Sequence, residues 1–364
     1  MTLVAGSVPP VAAGSAGTPV AQRLALGSVV AIVVTWRREL LGVLLGALAR
    51  QSRPVDHLIV VDNSPDHSVA DLVAAFPGAS TYVPSWRNLG STGGFALGAL
   101  TALAYDASWV WFIDDDGKPA TDDCLRELLA CAARHGLALV APVVLNVDDP
   151  GRLSFLMRLG LSWIRRPDDL GTREFLPGHA CLFNGALFSA EALDVIGVPD
   201  YRLFLRGDEI DVHRRALRAG LPFGTCLTAA LLHPSGEREF QPILGGRAYV
   251  QDPVDPGKRY YTFRNRGYLS TQPGRHLRWP LEWACFGWYT FWWCGATPLG
   301  SGTGCASSAW AAGNDSCAGR ASKPARRQAS SPSRRELRRA PGSGTPEAPR
   351  QSRSRDVRSL RSGD

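Results

Sequence analysis

Hydrophobic residues in the first part of the chain alternate between short continuous runs and longer amphipathic stretches. The run VVAIVVT at 29–35 is followed by an amphipathic stretch to about residue 50 and then by the run HLIVVDN at 57–63. Continuous β-branched runs are typical of strands buried on both faces, whereas the amphipathic stretch is typical of a helix. The pattern therefore predicts strand, helix, strand from residue 28 onward.

The same alternation predicts the remaining elements and the fold class. Strands are predicted at 80–83, 109–113, 137–145 and 227–233 and within CLFNGALFS at 181–189, and helices near 68–76, at 93–104, 121–134, 258–270 and 277–293, and after RGDEID. This order favours an α/β fold with a mostly parallel sheet and right-handed crossovers. Ligands bind such sheets beyond the carboxyl ends of the strands, where Thr35, Asp62 and residues 114–116 fall.

Amino-acid composition divides the chain into four segments. Residues 1–27 are rich in Ala, Gly, Pro and Ser and predict a disordered leader, residues 28–240 form the α/β domain, and residues 241–293 predict a helical, aromatic-rich region. Residues 294–364 lack Phe, Tyr and Ile, as expected of a disordered basic tail. Because this change falls inside an aromatic helix, we interpret the tail as the product of a reading-frame slip.

Composition and charge exclude some classes of function for this chain. The chain is 45% hydrophobic and 20% charged, which excludes wholesale disorder. Its net charge is +7, but residues 301–364 carry 13 Lys and Arg against 5 Asp and Glu, leaving 27 basic and 28 acidic residues before them. The folded part therefore has no overall basic character that would attract nucleic acid. The eight cysteines show no C-x-x-C pair, and neither a secretory signal nor an 18-residue apolar stretch is present, which favours reduced thiols in a cytosolic protein.

Acidic residues that follow a buried strand are the first candidates for chemistry. Asp114 and Asp116 alternate in extended backbone and so can meet one divalent cation, although a polar turn is the simpler alternative. His233 ends a later strand and suits a third ligand, or else is a surface histidine. Asp208, Glu209 and Asp211 begin a helix, either as helix-dipole partners or with one of them as a general base.

Other motifs suit a phosphate-bearing ligand or a membrane. The loop RNLGSTGGF at 87–95 enters a helix, a geometry that favours phosphate oxygens but also fits an ordinary glycine turn. Arg264 and Arg266 suit pyrophosphate or pairing with the acidic cluster. Five of the 11 tryptophans lie within 279–293, which suits a membrane interface as well as a core or subunit contact.

In their order along the chain, these motifs resemble those of the family-two inverting glycosyltransferases with a GT-A fold. The matching segments are VVT, IVVDN, RNLGSTGGF, WFIDDDG, NGALF, RGDEID and LLHP. Within that family, the resemblance is closest to the bacterial galactofuranosyltransferases that initiate cell-wall galactan synthesis, and it spans about residues 28–293. It implies a GT-A-type, Rossmann-like nucleotide-sugar-binding sheet with flanking helices and a helical C-terminal extension.

The resemblance also implies a reaction and its residues. Galactofuranose would pass from UDP-galactofuranose, with inversion, to a rhamnosyl-N-acetylglucosaminyl diphosphate polyprenol in arabinogalactan synthesis. Asp114, Asp116 and His233 would hold Mn²⁺ or Mg²⁺, and the base falls on the Asp208-Glu209 pair, with Glu209 preferred. The donor would contact Thr35, Asp62, Arg87, Asn88, Gly90, Gly93, Gly94, Asp115, Arg264 and Arg266, and the acceptor would contact Asn184 and Gly185. The lipid-linked acceptor implies a cytoplasmic enzyme at the inner face of the cell membrane.

Three alternatives stay open at this stage. A rhamnosyltransferase that uses dTDP-rhamnose shares the fold and the arginine-aromatic segment. The chain is alternatively a non-catalytic scaffold of the same fold, because its C-terminal helices are replaced after residue 293. A nucleic-acid binder rests only on the basic tail.

Overall fold

The computed structural model describes residues 23–160, 162–272 and 279–293, so that most of the predicted leader and all of the predicted tail lie outside the described residues. The strands are β1 (Val29–Thr35), β2 (His57–Asp62), β3 (Ser80–Pro84), β4 (Trp109–Asp114), β5 (Lys118–Pro119), β6 (Leu139–Asn146), β7 (Met157–Leu159), β8 (Ser162–Ile164), β9 (Phe175–Pro177), β10 (Asn184–Ser189), β11 (Phe223–His233), β12 (Phe240–Ile243) and β13 (Ala248–Gln251). The α-helices are α1 (Arg38–Ala49), α2 (Ala70–Ala74), α3 (Gly90–Ala104), α4 (Cys124–His135), α5 (Ala190–Ile196), α6 (Asp208–Arg218), α7 (Pro256–Ser270) and α8 (Trp279–Trp288), and a π-helical turn, Tyr289–Trp293, follows α8.

Nine strands of the described ranges form one mixed sheet, in the order β3-β2-β1-β4-β10-β6-β11-β5 with β9 beside β11. The strands β3-β2-β1-β4 are parallel, and so are β6 and β11. By contrast, β10 runs antiparallel to both β4 and β6. The predicted α/β fold with a mostly parallel sheet is confirmed, and the antiparallel exceptions are β10 and the two short strands beside β11, β5 and β9.

Both faces of the sheet are covered by helices. All seven residues of β1 are buried, and successive side chains point to opposite faces. On one face, the odd-numbered residues of β1 join a core with α1 and α4 that includes Leu41, Leu44 and Leu128. On the other face, the even-numbered residues join a core with α3, α5 and α6 that includes Phe95 and Val212. Burial on both sides explains the continuous hydrophobic run of this strand.

The described cysteines fit the prediction of reduced, mostly buried thiols. Cys124, Cys131 and Cys226 are buried, Cys181 is partly buried, and all four are free. Burial raises the pKa of Cys124 and Cys131 to about 12. These thiols therefore remain protonated at neutral pH and belong to the core.

The region 241–293, predicted to be helical, includes a hairpin before its helices. β12 and β13 pair antiparallel, and Gly245 and Gly246 between them have φ values of +65° and +83°. Glycine adopts these left-handed conformations without steric cost, so the chain reverses direction there. The predicted helices follow as α7 and α8, and none of the helices within the described ranges combines the length and hydropathy needed to cross a bilayer.

Gly98 allows α3 to pack directly on β1. A Cβ atom at Gly98 would lie 2.4 Å from Ile32 Cγ2, well inside contact distance. We expect Gly98→Ala to lower the free energy of unfolding by about 1–3 kcal/mol, because an added methyl group in a packed core displaces its neighbours. Urea denaturation followed by circular dichroism measures this change.

Gly42→Ala on α1 is the matched control, since a Cβ atom at Gly42 would meet nothing within 4 Å. Alanine favours the helix over glycine, so this variant should raise the free energy of unfolding by about 0.5–1 kcal/mol. Equal shifts of the urea midpoint in the two variants would contradict the close packing of α3 on β1.

Candidate active site

Polar side chains from several strands meet at one edge of the sheet. The carboxyl ends of β1 and β4 are adjacent because these strands are parallel neighbours. β10 begins at the same edge because it runs antiparallel, and its first residue, Asn184, pairs with Ile113 of β4. His233 ends β11 and contacts Asp116. The predicted candidates at the strand ends are therefore brought together.

Asp115 supports the turn that follows β1. Its Oδ2 atom accepts hydrogen bonds from Thr35 Oγ1 at 3.0 Å, from the Trp36 amide at 2.9 Å and from the Arg37 amide at 3.2 Å. Both Thr35 and Asp115 are buried. These two residues, which were predicted to contact a donor, bond to each other and shape the turn at the edge of the site.

Asp116 lies between two basic side chains. Its Oδ1 atom is 3.1 Å from His233 Nε2, and its Oδ2 atom is 3.3 Å from a guanidinium nitrogen of Arg37. Burial opposes ionisation, but the contacts with His233 and Arg37 lower the pKa of Asp116. His233 Nδ1 donates to the Pro234 carbonyl at 2.7 Å, which leaves Nε2 facing the acidic group.

Asp114, unlike Asp116, has no basic side chain of the described residues in contact with its carboxyl group. Burial and the charge of Asp116 raise the pKa of Asp114 well above its ordinary value. Within the described part of the chain, its side chain has no hydrogen-bond or ion-pair partner. A divalent cation would relieve this repulsion, and two carboxylates with an imidazole are suitable ligands for Mn²⁺ or Mg²⁺.

The three predicted ligands are of types that bind a divalent cation, but the structure does not bring all three together in one metal-binding cluster. Among the described residues, no three His, Cys, Asp or Glu side chains already stand in a metal-binding group. The contact between Asp116 and His233 brings two of the three predicted ligands together. Their joint use with Asp114 stays a prediction.

Asp208 and Glu209 begin α6 and are held in different ways. Asp208 is buried, and its Oδ2 atom accepts a hydrogen bond from Thr92 Oγ1 at 3.0 Å. Glu209 Oε1 accepts from the backbone amides of Leu182 at 3.0 Å and Phe183 at 3.5 Å. No described residue bonds to Glu209 Oε2. Glu209 is thus anchored by one oxygen and presents the other, as a general base requires.

The electrostatic surroundings favour a proton acceptor at this position. Burial raises the pKa of Asp208 and of Glu209, and the charge of Asp208 raises the pKa of Glu209 further. The amides of Phe183 and Leu182 oppose this shift. Raised pKa values in a pair of neighbouring carboxyl groups are typical of acid–base groups.

The loop at 87–94 enters α3 as predicted, although the helix begins at Gly90 rather than Gly93. Asn88 Oδ1 accepts a hydrogen bond from the Gly90 amide at 2.8 Å. Arg87 is exposed, and no described residue bonds to its guanidinium group. The start of α3 therefore offers an uncommitted positive charge next to a helix N-terminus.

Close packing explains the three glycines of this loop. Gly90 has a φ of +70°, and a Cβ atom there would lie 2.0 Å from the Phe204 carbonyl oxygen. A Cβ atom at Gly94 would lie 2.6 Å from Val34 Cγ1, and one at Gly93 would lie 2.8 Å from the preceding turn. Gly90 and Gly94 thus bring the helix close to neighbouring segments, and Gly93 avoids a clash with Leu89 one turn earlier. These packing roles were not predicted from the sequence.

Asp62 is fully buried, and both of its carboxyl oxygens bond within the protein. Oδ2 accepts from the Tyr82 hydroxyl and Oδ1 from the Ser64 amide, each at 2.8 Å. The adjacent Asn63 donates through Nδ2 to the Gly90 carbonyl at 2.9 Å. Asp62 therefore ties the end of β2 to β3, and Asn63 ties it to the start of α3. A donor contact of Asp62 stays a prediction.

The two arginines of α7 that were predicted to contact the donor, Arg264 and Arg266, differ in what the structure shows of them. Arg264 donates to the carbonyls of Arg202 and Leu203, and its Nε donates to Asn265 Oδ1 at 2.8 Å. Arg266 is half-buried on the same helix. Arg264 thus holds the segment that precedes α6, and the predicted donor contacts of both arginines remain predictions.

Asn184 is buried at the start of β10, and its Oδ1 atom has no hydrogen-bond donor within the described ranges. A buried amide oxygen without a donor is unfavourable, and a substrate hydroxyl at this edge would satisfy it. The next residue, Gly185, has a φ of +85°, and its carbonyl accepts from Trp111 Nε1 at 2.7 Å. Gly185 therefore shapes the irregular start of the strand.

Comparison with known proteins identifies the family. The model described as "Glycosyltransferase like family 2" matches residues 27–243. The chain belongs to glycosyltransferase family 2. The galactofuranosyltransferases GlfT1 of Mycolicibacterium smegmatis and Mycobacterium tuberculosis are each 56% identical to it over 268 residues, which covers 72% of this chain and 89% and 88% of theirs. Residues 1–349 of S. aureus TarS, solved with UDP-GlcNAc, align with a TM-score of 0.49 at 14% identity and cover 78% of this chain and 79% of TarS 1–349.

Membership of glycosyltransferase family 2 confirms the family, the enzyme class and the GT-A-type α/β fold predicted from the motifs. Four polar residues of this family-2 site were missed, namely Arg37, Asn63, Thr92 and Asn265. Arg37 and Asn63 lie next to predicted residues in the motifs. Thr92 and Asn265 are buried, and a polar residue inside a buried segment is a signal because its hydrogen bonds need partners.

Proposed function

We propose that this protein transfers galactofuranose from UDP-galactofuranose to a rhamnosyl-N-acetylglucosaminyl diphosphate polyprenol in arabinogalactan synthesis. The observation that carries this proposal is the 56% identity to GlfT1 galactofuranosyltransferases over nearly nine tenths of their length. The acidic cluster at the edge of the sheet supports it, because sugar transfer needs a base for the acceptor and a positive charge for the departing diphosphate.

In this proposal Glu209 is the general base. Its Oε1 atom is anchored on the Leu182 and Phe183 amides, so Oε2 accepts the proton of an acceptor hydroxyl. The acceptor oxygen then attacks the anomeric carbon while the bond to UDP breaks on the opposite side, and this single displacement inverts the centre. Burial and the nearby charge of Asp208 keep the pKa of Glu209 raised, which makes Glu209 a stronger proton acceptor than an ordinary glutamate.

Asp114, Asp116 and His233 would hold Mn²⁺ or Mg²⁺ beside the diphosphate. The uncompensated carboxyl group of Asp114 and the orientation of His233 Nε2 support this assignment. When bound, the cation supplies positive charge that stabilises the departing UDP. Arg37, which contacts Asp116, adds the positive charge of its guanidinium group at the same edge of the sheet.

The remaining residues of the site would bind the two substrates. We assign the donor to Thr35, Asp62, Arg87, Asn88, Gly90, Gly93, Gly94, Asp115, Arg264 and Arg266. The uncommitted guanidinium of Arg87 supports a direct contact with the donor, whereas the buried Thr35 and Asp115 would act through the turn they form. Asn184 and Gly185 are assigned to the acceptor, since Asn184 Oδ1 lacks a donor among described residues.

The acceptor is lipid-linked, so the enzyme is proposed to work at the cytoplasmic face of the cell membrane as a peripheral protein. Exposed aromatic side chains of α8 and the turn after it support this location, namely Trp283, Trp288, Phe291 and Trp292. Aromatic side chains of this kind suit the boundary between lipid and water. We place the catalytic domain at 28–240, and residues 241–293 complete it because Arg264 of α7 bonds to the segment before α6.

Release of the nucleoside diphosphate in the presence of a synthetic rhamnosyl-N-acetylglucosamine lipid acceptor tests the function: UDP from UDP-galactofuranose, or dTDP from dTDP-rhamnose. UDP-galactofuranose is expected to support turnover that depends on the acceptor, and dTDP-rhamnose is the competing donor. Turnover with dTDP-rhamnose alone would contradict the galactofuranose assignment and retain the family. UDP binding without turnover of either donor would instead show a non-catalytic scaffold.

A further inference from the structure

The loop that precedes α6 has an unusual backbone. Phe204 has φ and ψ values of +62° and −62°, and the Leu205 amide donates to the Leu203 carbonyl at 2.7 Å, which forms a γ-turn of the rare, positive-φ type. Arg206 and Gly207 follow with φ values of +72° and +80°. Non-glycine residues keep such conformations only where their surroundings hold them, and they concentrate at functional sites.

Asn265 on α7 makes the bonds that hold this loop. Its Nδ2 group lies 2.8, 2.9 and 2.7 Å from the carbonyl oxygens of Leu203, Leu205 and Arg206, so its two N–H groups are shared among three acceptors. The side chain is 1% exposed, so water does not replace these bonds. Because Asn265 Oδ1 accepts from Arg264 Nε at 2.8 Å, the amide nitrogen, rather than the oxygen, faces the loop.

The opposite side of the loop rests on α3. The Thr92 amide donates to the Phe204 carbonyl at 3.2 Å, and Gly90 leaves the space that this carbonyl occupies. On the α7 side, the Tyr261 ring stacks on the Phe204 ring with 4.6 Å between centroids. The loop is therefore clamped between two helices, and Asn265 supplies side-chain hydrogen bonds from α7.

Glu209 follows this loop by two residues, and its Oε1 atom accepts hydrogen bonds from the Leu182 and Phe183 amides at 3.0 and 3.5 Å. The backbone of the loop therefore sets the point from which the Glu209 side chain extends. We propose that Asn265 is a positioning residue for the general base: its amide keeps Phe204, Arg206 and Gly207 in their positive-φ conformations and thereby places the Glu209 carboxylate. The inference rests on the proposed function, because it takes Glu209 as the base.

The test compares Asn265→Ala with Thr262→Val in the full-length protein. Thr262 is the matched control because it is buried on the same helix and its hydroxyl donates within that helix, to the Lys258 carbonyl at 2.8 Å. Asn265→Ala is expected to lower kcat by about 10–100-fold with KM for the donor within about twofold, since a misplacement of about 1 Å costs about 10²-fold. Thr262→Val should change neither value by more than about twofold.

Equal kcat values for Asn265→Ala and Thr262→Val would overturn the inference, whether both variants keep wild-type activity or both lose it. If the wild type transfers a different sugar, the galactofuranose proposal fails, and the same comparison is made with that donor. If the wild type turns over neither donor, hydrogen exchange of residues 203–209 decides. Faster exchange in Asn265→Ala than in Thr262→Val supports the positioning role, and equal exchange overturns it.

Discussion

Glu209→Gln is expected to lower turnover by about 10²–10⁴-fold while UDP still binds. Glutamine has the same size and still accepts hydrogen bonds from the Leu182 and Phe183 amides, which hold Oε1 in the wild type. Its amide does not take up a proton at neutral pH, so the loss falls on kcat. UDP release at saturating acceptor measures turnover, and calorimetric titration with UDP measures binding.

Two further variants test whether Glu209, rather than another carboxylate, is the general base. Glu191→Gln makes the same chemical change on the exposed first turn of α5 and should leave kcat within about twofold. Asp208→Asn keeps the contact with Thr92 and should cost less than Glu209→Gln. A larger loss in Asp208→Asn than in Glu209→Gln would show that Asp208 is the base.

The pH profile of the wild type checks the same residue. Burial and the charge of Asp208 raise the pKa of Glu209 above its ordinary value of 4.5. A base must be deprotonated to act, so kcat/KM should fall as the pH falls through this raised pKa and should reach a plateau above it. An acidic limb at or below pH 4.5 would contradict the assignment of Glu209.

Local patterns predicted the buried strands and most of the helices, but they did not predict how all strands pair. The run at 29–35 is hydrophobic throughout because both faces of β1 are covered. β10 is likewise buried at every residue, and its composition carries no sign that it runs antiparallel between β4 and β6. Strand direction depends on connections between distant segments, which periodicity does not report.

The residues of the candidate site were likewise predicted only in part from the sequence. The run at 114–116 and His233 were found because carboxylates and imidazoles carry obvious chemistry, and Asp116 does contact His233. The different roles of Asp115 and Asp116 depend on the turn after β1, where Asp115 accepts three hydrogen bonds. Asn265 was passed over between two arginines because its role depends on a γ-turn some 60 residues away.

Asp116→Asn and removal of divalent cations are both expected to lower turnover by about 10²-fold or more. A bound cation contributes several kcal/mol to the stabilisation of a departing diphosphate, and about 1.4 kcal/mol corresponds to tenfold in rate. Asparagine keeps the shape of the side chain but loses the charge that faces His233 and Arg37. UDP release is measured in EDTA and then during titration with Mn²⁺.

Asp122→Asn is the matched control, because Asp122 is exposed before α4 and its 3.5 Å ion pair with Arg50 lies at the surface. It should leave both kcat and the Mn²⁺ requirement unchanged. Full wild-type activity in EDTA would show that Arg37 and His233 alone compensate Asp116 and that the cluster holds no essential metal. In that outcome no cation would offset the burial and the charge of Asp116, which raise the pKa of Asp114.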